Sequence, residues 1–383
     1  MKITGINTLC LSRMHEPERQ WVTSRYRTVK ADCAIVIIHT DDGIDGIGEA
    51  SAYGWPLMIR NWVAWLASNL IDRDPQDPAL APHPNGQAVP TAHNAAAAGI
   101  DCALWDLRGK IAGKRVGELL SDTAADRVRL YASSGCRYDW RERPEQLIEE
   151  ALGYLAQGYT AMKFRIGTEW EWDGVTVDHF LGLVRELAQE VSGRMDLMLD
   201  GNCRLSPEQA LTVAVELDRL GFAWFEEPMP RELISEHARL CEAVEMPISG
   251  GEIFTTLAQF RPYLDARAYD IVQPDAALCG ISEALRIAEM AQRYGVPTAP
   301  HSWHNGLMAM EHAHLVAALP DPLPLEMCMI QGPLQWAILA DKPVIENGYL
   351  VLPNKPGLGV SLADNLEETF PYIEGHYAVQ VQR

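Results

Sequence analysis

The chain has 383 residues, 48% of them hydrophobic, which is ample for a large core and implies two domains or one large barrel with an addition. Its 52 acidic against 32 basic residues give a formal net charge of −20, which argues against a phosphate-backbone partner, so no nucleic acid is expected. No run approaches the ~20 apolar residues that span a bilayer, and MKITGINTLCLSRMHEPERQ holds only a brief apolar patch, so a cytoplasmic chain with no membrane segment is expected. The eight cysteines are scattered singly with no metal-finger spacing and read as reduced, buried thiols. In chain order, ADCAIVIIHTDDGIDGIGEA reads as strands around a DDG turn. NWVAWLASNLI and AAAAGIDCALWDLRGKIAG read as helices, the second ended by Gly113. The opening segment is therefore α+β.

From about residue 128 short apolar strands alternate with longer helical patterns. VRLYASSG, AMKFRIG, MDLMLDGN, AWFEEPM, MPISGGE, IVQPD, VPTAPHS and LPLEMC are the strands, separated by segments such as SPEQALTVAVELDRLG and ISEALRIAEMAQRYG. Eight such units predict a (β/α) barrel, although the last connection is less clearly helical. The tail DKPVIENGYLVLPNKPGLGV reads as turns and short strands that pack back on the N-terminal part.

Where each predicted strand stops, the residues are ionisable or polar: Lys163 and Arg165, Asp200 and Asn202, Glu226 and Glu227, Glu252, Asp275, His301, and Glu326. The carboxyl ends of parallel barrel strands open on one face, so these side chains converge although they are remote in sequence. Asp200, Glu226 and Glu252 recur at intervals of 26 residues, one strand-helix unit each. Three anions in one barrel mouth repel unless a cation sits among them, and oxygen-only donors favour a hard divalent ion; Mg²⁺ is expected ahead of Mn²⁺ or zinc. Asp275 and His301 are again 26 residues apart. A carboxylate one strand from an imidazole can accept the Nδ1 proton and raise the basicity of Nε2, which makes a general base or acid.

These residues resemble the enolase superfamily, specifically its mandelate racemase subgroup, over nearly the whole chain. DCALWDLRGKIAGKRVGELL is similar to the family's capping-domain helix; DGN, FEEP and GGE to its three metal-ligand strand ends; QPD and PHSWHN to its Asp/His dyad; PGLGV to its C-terminal signature. The resemblance implies an α/β fold, a (β/α)7β TIM-like barrel at 121–330 with an N-terminal α+β capping domain at 1–120 and a C-terminal segment at 331–383 against the cap. It further implies that a substrate carboxylate binds the metal at Asp200, Glu226 and Glu252, that a base removes the adjacent proton, and that Glu326 is a protonated hydrogen-bond donor. Kinship also implies a homo-oligomer, up to a ring-shaped octamer.

The chain departs from the family at one place. The racemase pattern ends its second strand Lys-x-Lys, the second lysine being the base opposite the histidine; here that position is Arg165, a poor proton acceptor. Losing one base weakens racemisation but not dehydration, in which His301 takes the α-proton and then protonates the departing β-hydroxyl. Lys163 and Arg165 are expected to hold the substrate carboxylate, with Lys163 a second base if its pKa is depressed. Among Arg19, Trp21, Arg25, Tyr26, Arg27, Tyr53 and Trp55 of the N-terminal loops, and with Asn202 and His304, a few residues are expected to read a polyhydroxylated acid. The expected activity is a Mg²⁺-dependent acid-sugar dehydratase acting on an aldonate or aldarate; the rivals are a cycloisomerase, an epimerase or racemase, and a catalytically silent metal-binding homologue.

Overall fold

The chain opens with β1 (Ile3–Met14), the short β2 (Tyr26–Thr28), β3 (Lys30–Thr40) and β4 (Gly46–Ala50); β1, β3 and β4 form an antiparallel sheet in that order. This computed structural model describes residues 1–17, 20, 26–52, 55–82, 91–134, 143–166, 175–303, 305–330 and 332–380, with backbone alone at 91 and 92. The near-continuous apolar run of β3 follows from burial on both faces. Ala34, Val36 and Ile38 pack with Ile59, Val63 and Leu104 of the N-terminal helices, whereas Cys33 and Ile35 pack with Leu307 and Leu315 of the barrel layer. The helix Thr91–Ala112 lies close against β4 because the contact is lined by glycine and alanine. A Cβ on Gly48 would sit 2.4 Å from the Gly99 carbonyl oxygen, and one on Gly99 would sit 2.9 Å from the Ala50 Cβ.

The predicted barrel strands are β5 (Arg127–Ser133), β6 (Ala161–Arg165), β7 (Asp196–Asp200), β8 (Trp224–Glu226), β9 (Ile248–Gly250), β10 (Ile271–Val272) and β11 (Leu325–Cys328). Strands β5 to β10 pair in sequence order, all parallel, and β11 returns to pair with β5. The seventh unit, VPTAPHS, is reduced to a single parallel bridge between Thr298 and Val272. Period-two alternation sorts the side chains. Met162, Phe164, Leu197, Leu199 and Phe225 point outward to the helices, while Met198, Trp224, Tyr131 and Ile271 fill the interior.

Among the described residues, seven helices follow the first seven strand units, including Gly306–Ala318 in the last connection. That helix hides from sequence periodicity because positions 306 to 317 are buried all round. The tail divides its pairing between the two parts of the molecule. β12 (Val344–Glu346) and β13 (Tyr349–Val351) form a hairpin that extends β5 of the barrel, Tyr349 opposite Arg129, while β14 (Ala378–Gln380) pairs with β2. Among the described residues, no helix is long and apolar enough to cross a membrane.

Candidate active site

Strand register places the site. Arg165, Asp200 and Glu226 are successive Cα partners across β6, β7 and β8, and in β6 the odd positions Lys163 and Arg165 face inward while Phe164 packs outside. Lys163 is fully buried, its Nζ 2.6 Å from Glu226 Oε1 and 3.1 Å from Glu326 Oε1, above the Tyr131 ring. Burial opposes its charge, yet Glu226 and Glu326 hold the ammonium well above its ordinary pKa. The depressed value that a second base would need is thus reversed. Arg165 stacks 4.1 Å from the Trp303 ring centroid and lies 3.4 Å from Asp200 and 3.9 Å from Glu326.

The three carboxylates neighbour one another on consecutive units, but each is drawn to its own partners. Asp200 accepts from the Asn202 backbone and side-chain nitrogens, both at 2.8 Å. Glu226 takes Lys163 and, at 2.6 Å, Gln273 Nε2. Glu252 is 3.4 Å from Arg231, which is itself paired with Glu227, and 3.5 Å from His301 Nε2. Among the described residues, no three Asp, Glu, His or Cys side chains form a ready-made coordination cluster. The donor set nevertheless suits a hard cation: burial and the neighbouring carboxylates push Glu226 up to about 7, and burial with Glu227 does the same to Glu252.

His301 Nδ1 lies 2.8 Å from Asp275 Oδ2, which fixes the tautomer and aims Nε2 at Glu252 and, at 3.9 Å, Glu326. Burial would lower the imidazole pKa, but Glu252, Glu326 and Asp275 together raise it to about 10. Asp275 also caps the helix Ala276–Arg293, accepting from Ala277 N at 2.8 Å. The surroundings of Glu326 run against the protonated form that the resemblance implies. Burial alone would raise its pKa, yet Lys163, His301, Arg165 and the Ser133 hydroxyl hold the carboxyl well below the usual range. It accepts from Ser133 Oγ at 2.6 Å and Ser302 N at 2.8 Å, contacts that favour the ionised form.

The expected substrate-reading residues divide. Asn202, in a left-handed conformation with φ 45°, orients Asp200. Tyr26 lies in β2 opposite Gln380 and Arg27 opposite Val379. Trp55 precedes the helix Pro56–Ala67 with 54% of its surface exposed. Arg19, Trp21, Arg25, Tyr53 and His304 lie outside the described residues. Gln273, Ser133, Trp303 and Arg231 were not singled out as site residues from the sequence. Gln273 carried a usable signal, since it stands two residues before Asp275 and so shares its face.

Comparison with known proteins gives consistent matches. Residues 7–121 match the family model of the mandelate racemase / muconate lactonizing enzyme N-terminal domain, and residues 146–366 match that of the enolase C-terminal domain-like fold. The chain is 30% identical over 345 residues to an arabinonate dehydratase of Saccharolobus solfataricus, covering 87% of this chain and 89% of that one. It is 30% identical over 378 residues to a D-galactarolactone cycloisomerase of Agrobacterium fabrum, covering 94% and 97%. The crystal structure of an enolase-superfamily member from Polaromonas sp. JS666 superposes with a TM-score of 0.85 at 29% identity, covering 98% of this chain and 99% of that one.

Proposed function

The chain belongs to the mandelate racemase/muconate lactonizing enzyme family of the enolase superfamily, and from that premise we propose that it dehydrates an acid sugar to a 2-keto-3-deoxy acid. The observation that carries this reading is asymmetry. One flank of the site offers a single oriented imidazole, His301 on Asp275, and the other offers only cations, Lys163 locked between Glu226 and Glu326 and Arg165 stacked on Trp303. Inverting a stereocentre requires proton acceptors on both faces; elimination on one face requires one.

Asp200, Glu226 and Glu252 would hold a divalent cation, Mg²⁺ by the hardness of the donors, which supplies Lewis acidity to a bound carboxylate. Lys163 and Arg165 face the same region and offset the negative charge that grows on the substrate carboxylate as its α-proton leaves. With the charge of Glu252 taken up by the divalent cation, the anion that most raises the His301 pKa would be neutralised, and the imidazole would accept that proton at Nε2, with Nδ1–H anchored on Asp275. The same Nε2–H then protonates the β-hydroxyl, which departs as water with its bonding electrons. The enol that remains becomes the keto acid by taking a proton at C3. Glu326, ionised and fixed by Ser133 and Ser302, positions Lys163 and Arg165.

The relative that is a cycloisomerase supports a second reading, in which the same proton abstraction expels a ring oxygen. A panel of arabinonate, D-xylonate, D-galactonate and galactarolactone with Mg²⁺ separates the two. Dehydration yields a new ketone that traps semicarbazide, and ring opening consumes lactone. His301→Asn should abolish both turnover and deuterium exchange at the α-carbon while leaving Mg²⁺ binding intact. Persistence of exchange in that variant would refute His301 as the base. The assembly proposed by kinship, a homo-oligomer as large as an octamer, is measured by sedimentation velocity.

A further inference from the structure

The carboxylate of Asp275 lies between two histidines. Oδ2 meets His301 Nδ1 at 2.8 Å, and Oδ1 lies 3.1 Å from Nε2 of His312, a fully buried residue on the helix Gly306–Ala318. His312 Nδ1 is 2.7 Å from the Met308 carbonyl, which can only accept, so Nδ1 carries a proton. Nε2 is also 2.9 Å from the backbone nitrogen of Ala276, the residue that follows Asp275. In the neutral ring Nε2 accepts from that amide; in the protonated ring it donates to Oδ1. Either way, His312 braces the single turn that carries Asp275.

The bracing reaches further. Glu311, next to His312, accepts from the Glu49 backbone amide of β4 at 2.7 Å. Glu49 in turn accepts from Asn305 Nδ2 at 2.7 Å and from the Cys33 thiol at 2.9 Å. A buried polar chain thus runs from the N-terminal sheet through one turn of the helix Gly306–Ala318 to the dyad. A buried polar group left without such a partner would cost stability, so the chain is held in one arrangement.

We propose that His312 is a positioning residue of the dyad, fixing the Asp275 carboxylate so that Oδ2 stays on His301 Nδ1. The inference rests on the reading of His301 as the proton-moving group. Its test joins a readout that needs no substrate to one that does. In full-length protein carrying ¹⁵N-histidine, the His301 imidazole N–H resonance is assigned by its loss in His301→Asn. In His312→Asn this resonance should shift or broaden as Asp275 gains freedom to rotate. With the acid sugar that the wild type turns over, kcat should fall about tenfold or more, as when a partner that orients a catalytic ligand is lost. KM should stay within about twofold, since ground-state binding is untouched.

His312→Gln, whose longer amide reaches the same turn, should restore both. An unmoved resonance with unchanged kcat in His312→Asn overturns the proposal. So do equal losses in the Asn and Gln variants that follow melting temperature alone. If His312→Asn does not fold, His312→Phe, which keeps the ring volume, takes its place in the comparison. Absence of turnover by the wild type would end the dehydratase reading and leave the resonance comparison to decide the role of His312.

Discussion

Replacing His314 by Gln should remove a large part of the acid sensitivity of the fold. His314 is buried where three segments meet: its Nδ1 accepts from Gly117 N at 3.2 Å, and its Nε2 lies 3.1 Å from the Leu358 carbonyl, to which it donates. Protonation would turn Nδ1 into a donor facing another donor. Burial, aided by the charge of Arg115, therefore lowers the imidazole pKa to about 4 from the ordinary 6.5. Between those values the unfolded chain binds the proton and the folded chain does not. Stability from this site is thus fully present above 6.5 and is lost as pH falls toward 4. At about 1.36 kcal/mol per pH unit the gap corresponds to about 3 kcal/mol.

Urea unfolding of the wild type and His314→Gln, followed by tryptophan fluorescence at pH 7 and pH 4, isolates this quantity, because other groups titrate alike in both proteins. The variant should be weaker at pH 7 by about 1–3 kcal/mol for its disrupted hydrogen bonds. The wild type should lose about 3 kcal/mol more than the variant between the two pH values. Parallel losses would refute the assignment of a neutral, buried His314.

Cation binding should depend on pH with a definite sign. Glu226 and Glu252, each near 7, must release protons to bind a divalent ion. The rise in melting temperature on adding Mg²⁺ should therefore be larger at pH 8 than at pH 6 and should shrink in Glu252→Gln; equal rises at both pH values would contradict it. Lys163→Met leaves Glu226 and Glu326 buried without their shared cation, a loss of about 3–5 kcal/mol. Thermal denaturation should show a larger deficit at pH 8 than at pH 6, where one carboxyl can protonate.

The barrel was legible because its grammar is local. Each strand unit carries its own apolar run, and the inward-facing Lys163 and Arg165 follow from alternation alone. What the sequence concealed depends on contacts between remote segments. The hairpin β12–β13 could have joined either part of the molecule, and only packing selects β5. His312 and Glu311 sit in a helix buried on every side, so no polar face marks them out. Glu326 was expected to be protonated. Its state depends on Lys163 and Arg165 of β6 and on His301, none of which is near it in the chain. The substrate-reading residues of the N-terminal loops cannot be ranked from sequence, since an exposed tryptophan such as Trp55 looks the same there whether or not it touches a ligand.

The helix Gly306–Ala318 has a consequence for engineering. A Cβ on Gly306 would sit 1.9 Å from the Gln335 carbonyl oxygen, so even its first residue admits no larger side chain. Because this helix serves the N-terminal sheet on one side and β5 and β11 on the other, neither part can be excised cleanly as a module. Chimeras that exchange N-terminal domains between relatives would need to carry this segment along, or redesign the seam that it fills.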